Sequence, residues 1–470
     1  MHRLAVEPVN AVHAITHWDP EDSGFWRARG QRVAQRNLWL SITSLTLSFA
    51  VWMMWSVVVV HLPAVGFRYS TNQLYWLAAL PALSGATLRF VYAFAVPVFG
   101  GRRWTALATA SLMLPALGVG FAVQDPTTPF EWMVGLALLC GLGGGNFASS
   151  MAHISFFYPK ARVGTALGMN AGLGNLGVPL AQLIVPLVIT AGVFGVWGGA
   201  AQTDSQGAHW WLQNAGFVWV PFIALASLAA WFGMDDLAQA RGSFAEQAVI
   251  FERRHNWWMC WLYTGTFGSF IGLAAAVPLL AARDFPGIDT RWAVWLGPLV
   301  GALARPLGGW LSDRLGGARV TFWVFVALAL GIAALPATLP SALGPAATPA
   351  AFVAFLACSL ALFTAAGIGN GSTFRMIPLI FLRERRAAVA ATPQAQAEAL
   401  REANKEAAAV LGFSSAIAAY GGFFIPKTVG TSVAMTGAPT AAFAIFFAFY
   451  LSCIAITWWH YSRRFAPMPC

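Results

Sequence analysis

Residues 85–92 read Gly-Ala-Thr-Leu-Arg-Phe-Val-Tyr, and they place Arg89 inside an apolar run that extends from 73 to 99. The stretch 301–308 reads Gly-Ala-Leu-Ala-Arg-Pro-Leu-Gly and places Arg305 in the same way. An arginine at mid-membrane costs about 2.5–3.5 kcal/mol on insertion scales, so it normally faces the bundle interior or a wet cavity. We interpret both arginines as candidate anion ligands, against the alternative of structural arginines bonded to carbonyls.

The two arginines belong to an internal repeat. At an offset of 216 residues, Trp76 and Gly85 also fall on Trp292 and Gly301. Offsets of 226 and 244 residues align glycines later in each half, and longer loops in the second half would produce this growth. Small residues can recur through helix packing alone, but a repeated arginine makes that explanation insufficient. The repeat therefore predicts two halves related by an axis along the membrane normal.

The composition is that of a helical membrane protein. Hydrophobic residues make up 58% of the 470 residues and charged residues only 10%, which excludes an ordinary soluble enzyme of this length. Twelve apolar runs are each long enough to cross about 30 Å of hydrocarbon as a helix. They cover approximately 38–62, 73–99, 104–124, 130–158, 163–196, 214–234, 257–282, 292–312, 320–340, 351–382, 407–430 and 438–461. The predicted fold class is an all-α membrane protein with twelve transmembrane helices in two six-helix halves.

The distribution of basic residues predicts the orientation. Among the 28 Lys and Arg residues, four lie on the face away from the termini, namely Arg68, Arg283, Arg291 and Lys427. Three lie within spans and the rest lie on the face of the termini, so we expect both termini in the cytoplasm. The net charge of +10 is then topogenic and predicts no nucleic-acid partner. The predicted parts are a cytoplasmic segment 1–37, bundles 38–234 and 257–461, a linker 235–256 and a tail 462–470. Residues 383–406 are expected to form a short solvated helix.

Three sequence segments carry a family resemblance. Residues 309–319, Gly-Trp-Leu-Ser-Asp-Arg-Leu-Gly-Gly-Ala-Arg, resemble the loop signature of the major facilitator superfamily, whose aspartate is missing from the first-half counterpart 97–103. The glycine-rich segments 166–177 and 411–423 resemble the two nitrate signatures of the nitrate/nitrite porter family. The chain is similar to the bacterial NarK branch along almost its whole length. The resemblance implies a multi-pass carrier of nitrate and nitrite in the inner membrane, serving nitrate assimilation.

The resemblance also implies a site. Nitrate and nitrite would be bound by Arg89 and Arg305 and would lie between the rings of Phe147 and Phe267. Further hydrogen bonds are implied at Tyr263, Asn175 and Ser415. The chemistry agrees, because nitrate is flat and singly charged, and the planar guanidinium fork presents paired donors to oxyanions.

We expect a further set of residues to take part in the conformational change. The glycines of the two signatures let helices approach closely and slide. The loop residues Asp313 and Arg314 are also assigned to the conformational change. The glycines are Gly168, Gly172, Gly174, Gly177, Gly412 and Gly421. His153 and Arg375 have no assigned role beyond possible coupling or a place along the pathway. The match of 172–177 to the dinucleotide pattern GxGxxG is accidental, because no strand precedes it.

The charges within the spans suggest the transport mode. Apart from Glu131, the predicted spans contain no Asp or Glu, whereas proton-driven carriers usually use a membrane carboxylate or histidine. A site with two unneutralised arginines should resist changing face unless an anion is bound. We therefore predict a monomeric nitrate/nitrite antiporter in the lipid bilayer. His153 leaves nitrate/proton symport as an alternative, and transport of another small anion is a further one.

Two other protein classes fit the sequence less well than a carrier does. A channel-like anion pore could also use arginines, but it has no need of paired halves that move. A membrane enzyme would need a metal or an acid/base cluster in the spans, and the five scattered cysteines have no metal-ligand spacing. We accordingly expect no enzyme activity, no metal and no cofactor.

Overall fold

The computed structural model describes residues 14–204, 207–238, 252–387 and 392–470. Eleven helices within these ranges are long and apolar enough to cross a membrane. A twelfth helix, Leu296–Leu315, is less apolar because it carries Arg305, Asp313 and Arg314. In chain order the twelve are α1 (Ser23–His61), α2 (Thr71–Tyr92), α3 (Gly101–Ala122), α4 (Phe130–Ser155), α5 (Arg162–Val188), α6 (Asn214–Gly233), α7 (Arg254–Asp284), α8 (Leu296–Leu315), α9 (Gly317–Thr338), α10 (Pro349–Ala387), α11 (Ala409–Thr436) and α12 (Thr440–Ser462). The predicted all-α fold with twelve spans is confirmed.

The described residues also form two pairs of very short strands. Strand β1 (Ala14–Ile15) pairs in parallel with β4 (Asp236–Leu237), and β2 (Gln202–Thr203) pairs antiparallel with β3 (His209–Trp210). The first pair joins the chain before α1 to the chain after α6. We call this end of the bundle the terminal face and the other end the opposite face.

Helix α1 begins well before the apolar run that predicted it. The side chain of Asp22 accepts hydrogen bonds from the backbone N–H groups of Gly24 and Phe25, and this N-cap starts the helix at Ser23. The polar first turns therefore continue into the span without a break. Residues 1–13 and 239–251, which belong to the predicted N-terminal segment and linker, lie outside the described residues.

Glycines bring α2 against α4 and α8 against α10. A Cβ atom on Gly141 would overlap Ser84 and the backbone nitrogen of Gly85. A Cβ atom on Gly367 would likewise overlap the carbonyl group of Gly301, which follows Gly85 at the offset of 216 residues. Helices in a bilayer associate through such close packing, because lipid is as apolar as their side chains. The repeat seen in the sequence is thus also present in the packing of the two halves.

The loops after α2 and after α8 each contain a glycine with a positive φ angle, and the two glycines are equivalent in the internal repeat. Gly100 and Gly316 have φ angles of +84° and +90°, a conformation in which a Cβ atom is strained. In the first half, the carboxylate of Asp236 accepts a hydrogen bond from the backbone N–H of Arg102 at 2.8 Å. The loop that lacks the signature aspartate is therefore bonded to a carboxylate that comes from beyond α6.

The segment 383–406 differs from its prediction as a separate solvated helix. Residues up to Ala387 complete α10, and a helix that starts at Pro393 runs on into α11, with 388–391 outside the described residues. Glu406 is buried and accepts hydrogen bonds from Arg385 and Arg253. Burial by itself would raise the pKa of Glu406, but the hydrogen bonds and the positive charges of the two arginines together outweigh it and lower the pKa. The segment is thus tied to the bundle by partly buried ionic contacts that its polar composition did not reveal.

We predict that Gly141→Ala destabilises the protein by about 1–3 kcal/mol, because its methyl group would push α4 away from α2. Gly135 lies on the same helix, with no described heavy atom within 4 Å of its Cβ position, and it provides the matched control. Thermal unfolding of the two purified variants in detergent would measure the difference. Equal melting temperatures for Gly141→Ala and Gly135→Ala would contradict the packing described here.

Candidate functional site

Arg89 is bonded to both halves of the molecule. Its Nε donates to the carbonyl oxygen of Gly144 on α4 at 2.9 Å, and its Nη1 donates to the carbonyl oxygen of Ser415 on α11 at 2.7 Å. Only 1% of the residue is exposed to solvent. Two carbonyls thus hold the guanidinium group of Arg89 at the interface between the halves.

Two phenylalanine rings flank this guanidinium group. The Cζ atom of Arg89 lies 4.7 Å from the ring centre of Phe147 on α4 and 5.2 Å from that of Phe267 on α7. The two rings are 6.3 Å apart and inclined by only 29°. Phe267 belongs to a π-helical turn, Thr264–Gly268, within α7, and such turns often occur at functional sites. The rings predicted to enclose a flat ligand therefore face each other across the interface between the halves.

Arg305 borders the same group of rings. Its Nη2 donates to the hydroxyl oxygen of Tyr263 at 3.3 Å, and the Tyr263 ring stacks on Phe267 with centres 5.5 Å apart. The Cζ atom of Arg305 also lies 5.3 Å from the ring centre of Phe374 on α10. One continuous set of contacts thus links Arg89, through Phe267 and Tyr263, to Arg305.

Each guanidinium group keeps one buried NH2 group without an acceptor. Within the described ranges, Nη2 of Arg89 and Nη1 of Arg305 have no hydrogen-bond partner. The ion pairs found among the described residues all involve other arginines, so neither of the two charges is matched by a carboxylate within 4 Å. An unpaired buried charged donor costs more than the 1–3 kcal/mol of a neutral group. The cluster is therefore suited to a small anion that accepts hydrogen bonds.

The side chains of Ser415 and Asn175, which were expected to bond to the anion, form no hydrogen bond with either arginine. Ser415 contacts Arg89 through its backbone carbonyl, while its hydroxyl group donates to the carbonyl oxygen of Gly412 at 2.8 Å. Asn175 is buried at the break in α5 between Gly174 and Gly177, and neither of its side-chain polar atoms has a partner among the described residues. Asn175 thus remains a polar group in need of a partner, without a direct bond to either arginine.

The signature glycines fall into two groups. Around Gly168, Gly172 and Gly412, no described heavy atom lies within 4 Å of the position that a Cβ atom would take. The other three are closely packed: Gly174 against Leu45, Gly177 against the backbone of α1, and Gly421 against Gly268. Along α5 and α11, the open glycines come before the packed ones, so the open glycines lie closer to the terminal face.

The opposite face is closed by contacts between the halves. The Nε2 atom of Gln182 on α5 donates to the carbonyl oxygen of Ala274 on α7 at 2.7 Å, and Gly430 on α11 packs against Tyr75 on α2. The arginines themselves are buried, with Arg305 only 5% exposed. The described conformation is therefore closed on the opposite face, and solvent does not reach the arginines from either side.

The two residues without an assigned role lie apart from the ring cluster. His153 is buried at the terminal end of α4, where its ring fills the space left by Gly101, and its Nε2 has no partner among the described residues. Arg375 on α10 is half exposed and donates through Nε to Asp313 at 2.6 Å. The sequence analysis did not anticipate this ion pair between Arg375 and the aspartate of the loop signature. Arg314 lies over the ring of Trp310 at 4.1 Å.

Comparison with known proteins assigns the chain to a family. The family model of the Major Facilitator Superfamily matches residues 40–392. The nitrate/nitrite transporter NarU of Salmonella typhimurium is 49% identical over 96% of this chain and 97% of its own length. The chain belongs to the nitrate/nitrite porter family of the major facilitator superfamily.

Other relatives agree with this family membership. A protein of Thermus thermophilus named probable nitrate/nitrite antiporter NarK2 is 40% identical over 97% of this chain and 98% of its own length. Among solved structures, a variant of the nucleoside transporter NupG has a TM-score of 0.58 at 14% identity, covering 90% of this chain and 98% of that one. A bacterial homologue of the lysosomal transporter Spinster, inward-facing and occupied, also has a TM-score of 0.58, at 16% identity, covering 90% of this chain and 95% of that one. These two structures share the fold with the porter described here.

Sequence reasoning missed three groups that contact the arginines of this porter. The carbonyl oxygen of Gly144 accepts from Arg89, the ring of Trp52 lies 5.4 Å from its Cζ atom, and Phe374 lies beside Arg305. A carbonyl is present at every residue, so no pattern could single out that of Gly144. Phe374 directly precedes Arg375, but its first-half counterpart at the offset of 226 is an alanine. The repeat therefore provided no signal for it.

We predict opposite effects on stability when each arginine is made apolar in the absence of anion. Arg305→Met should stabilise the protein by about 1–4 kcal/mol, because it removes a buried charge held by one long hydrogen bond. Arg89→Met should instead destabilise the protein, because it removes two hydrogen bonds from a charged donor, one of which joins the halves. Melting temperatures in anion-depleted detergent would test this. An equal loss of stability in both variants would contradict the view that the buried charge of Arg305 is uncompensated.

Proposed function

We propose that this porter exchanges nitrate for nitrite across the bacterial cytoplasmic membrane, by alternating access and as a monomer. The observation that carries the proposal is the unpaired NH2 group on each of Arg89 and Arg305, beside two stacked rings inclined by 29°. The names of the relatives, nitrate/nitrite transporter and probable nitrate/nitrite antiporter, support the choice of substrate. The excess of basic residues on the terminal face supports a cytoplasmic position for both termini.

The ring geometry suits a flat ion. A planar anion in van der Waals contact with both rings requires a ring separation of roughly 7 Å, twice the usual carbon contact of about 3.5 Å. The ring centres of Phe147 and Phe267 are 6.3 Å apart and the rings are inclined by 29°, so the rings would have to separate to admit nitrate or nitrite. The oxygens in the plane of the anion would then accept hydrogen bonds from the two arginines. A tetrahedral ion such as phosphate would not fit between the rings.

The electrostatics favour obligatory exchange. Two buried positive charges without carboxylate partners would have to cross the bilayer interior when the empty carrier changes face. One bound anion offsets part of this charge, so the loaded carrier should change face more readily. We propose that Asn175, whose polar atoms lack partners in the described structure, bonds to the anion or to its water in another conformation. Gly168, Gly172 and Gly412 would leave room for α5 and α11 to close on the terminal face.

We predict that proteoliposomes loaded with nitrite take up external nitrate, whereas anion-free liposomes take up almost none. Internal pH should stay constant during exchange, since no proton crosses with the anion. Isotope-labelled nitrate and an internal pH dye would measure both quantities, with phosphate-loaded liposomes as the control. Nitrate uptake into anion-free liposomes with internal acidification would instead establish proton symport, with His153 as the first group to examine.

We predict that Arg89→Lys and Arg305→Lys each reduce exchange roughly 10- to 100-fold, because lysine cannot form the paired bonds of the guanidinium fork. Arg68→Lys is the matched control, since Arg68 is exposed on a loop of the opposite face. Initial exchange rates in proteoliposomes with equal amounts of inserted protein would measure the effect. Transport like that of the unmodified protein in either site variant would exclude the site proposed here.

A further inference from the structure

Helices α2 and α11 form a continuous contact between the halves on the opposite face. Tyr75 packs on Gly430, and the ring of Trp76 lies 5.7 Å from that of Phe423. Closer to the site, the hydroxyl groups of Thr87 and Tyr420 are 2.9 Å apart. At the depth of the site, this contact includes the bond between Arg89 and the carbonyl of Ser415. The α2–α11 seam, as we call it, thus covers the route from the opposite face to the site.

One cation lies within this seam. The Nζ atom of Lys427 on α11 donates to Oδ1 of Asn72 at 2.9 Å and to Oγ1 of Thr431 at 3.0 Å, and it lies 4.5 Å from the ring centre of Trp76. No carboxylate within the described ranges lies within 4 Å of it. The partly buried ammonium group is therefore held only by neutral groups.

The partners of Lys427 come from different halves. Thr431 lies one turn away on α11, but Asn72 and Trp76 lie on α2 in the first half. Separation of the halves on the opposite face must carry Asn72 and Trp76 away while Thr431 stays. The ammonium group then loses one hydrogen-bond acceptor and its aromatic contact together. It faces the newly opened space as an unmatched positive charge.

The position of Lys427 along α11 sets the depth of that charge in the membrane. Lys427 is twelve residues beyond Ser415 along α11, which corresponds to about 18 Å at 1.5 Å per residue. Ser415 lies at the same depth in the bundle as the guanidinium group of Arg89, to which it is bonded. Lys427 therefore lies at a depth between the site and the opposite face. We propose that Lys427 is an entrance site for small monovalent anions when the opposite face is open, and that Asn72 and Trp76 occupy it when that face is closed. This inference rests on the proposed function of anion transport.

The chemistry of the Lys427 ammonium group determines which anions it can distinguish. An ammonium ion is a compact, strongly hydrated point charge without the fork geometry of a guanidinium group. It should raise the local concentration of any small anion and should not distinguish nitrate from nitrite or chloride. Such electrostatic attraction weakens as ionic strength rises. Selection would remain with the arginines and rings deeper in the protein.

The test compares the Michaelis constants for nitrate on the two faces, in right-side-out and inside-out membrane vesicles that contain the full chain. Lys427→Met should raise KM on the opposite face 3- to 10-fold at low ionic strength and leave KM on the terminal face unchanged within twofold. Lys427→Arg should retain the KM of the unmodified protein. Asn72→Ala, which removes the acceptor and keeps the charge, should not raise KM on the opposite face.

Arg68→Met provides the control for surface charge in general, because Arg68 is also on the opposite face but is exposed on a loop. An equal rise in KM for Arg68→Met, an equal change on both faces for Lys427→Met, or an unchanged KM on the opposite face would each overturn the entrance site. If the unmodified protein exchanges nitrate, such a result removes only this inference. If it does not, the proposed function itself fails.

Discussion

The bond from Arg89 to the carbonyl oxygen of Ser415 is the contact on which the described conformation depends. It joins α2 of the first half to α11 of the second at the depth of the rings, and it is buried from solvent. A charged donor to a neutral carbonyl contributes more than a neutral bond does, about 1.5–3 kcal/mol. The same guanidinium group nevertheless keeps a donor free on Nη2. One residue thus both holds the halves together and presents a binding group between them.

The packing of the signature glycines agrees with a movement about this contact. Gly177 and Gly421 lie against the backbones of α1 and α7, whereas Gly168 and Gly412 face open space. Packed interfaces resist continuous deformation, so a large change is easier where space is already available. We propose that the tightly packed part of α5 and α11 stays fixed during this movement, while their ends toward the terminal face close.

Much of the fold and part of the site could be predicted from sequence, for identifiable reasons. Twelve long apolar runs and a repeated arginine carry strong signals, because a charge in hydrocarbon is costly wherever it occurs. The rings of Phe147 and Phe267 required the family resemblance, since a phenylalanine in a span is usually packing. The backbone acceptors of Arg89 could not be predicted, because only tertiary structure decides which carbonyl meets a side chain. Glu406 was expected in solvent because sequence shows charge but not the partners that bury it.

The sharing of Arg89 between halves has a consequence for biogenesis. Synthesis proceeds from the N-terminus, so α1 to α6 enter the bilayer before α11 has been made. During this interval Arg89 has the carbonyl of Gly144 as an acceptor but lacks that of Ser415. The first half is therefore an incomplete structure with a poorly satisfied charge in hydrocarbon. A nascent chain that stops after α6 would be a natural substrate for membrane proteases, and completion of α11 would end that susceptibility.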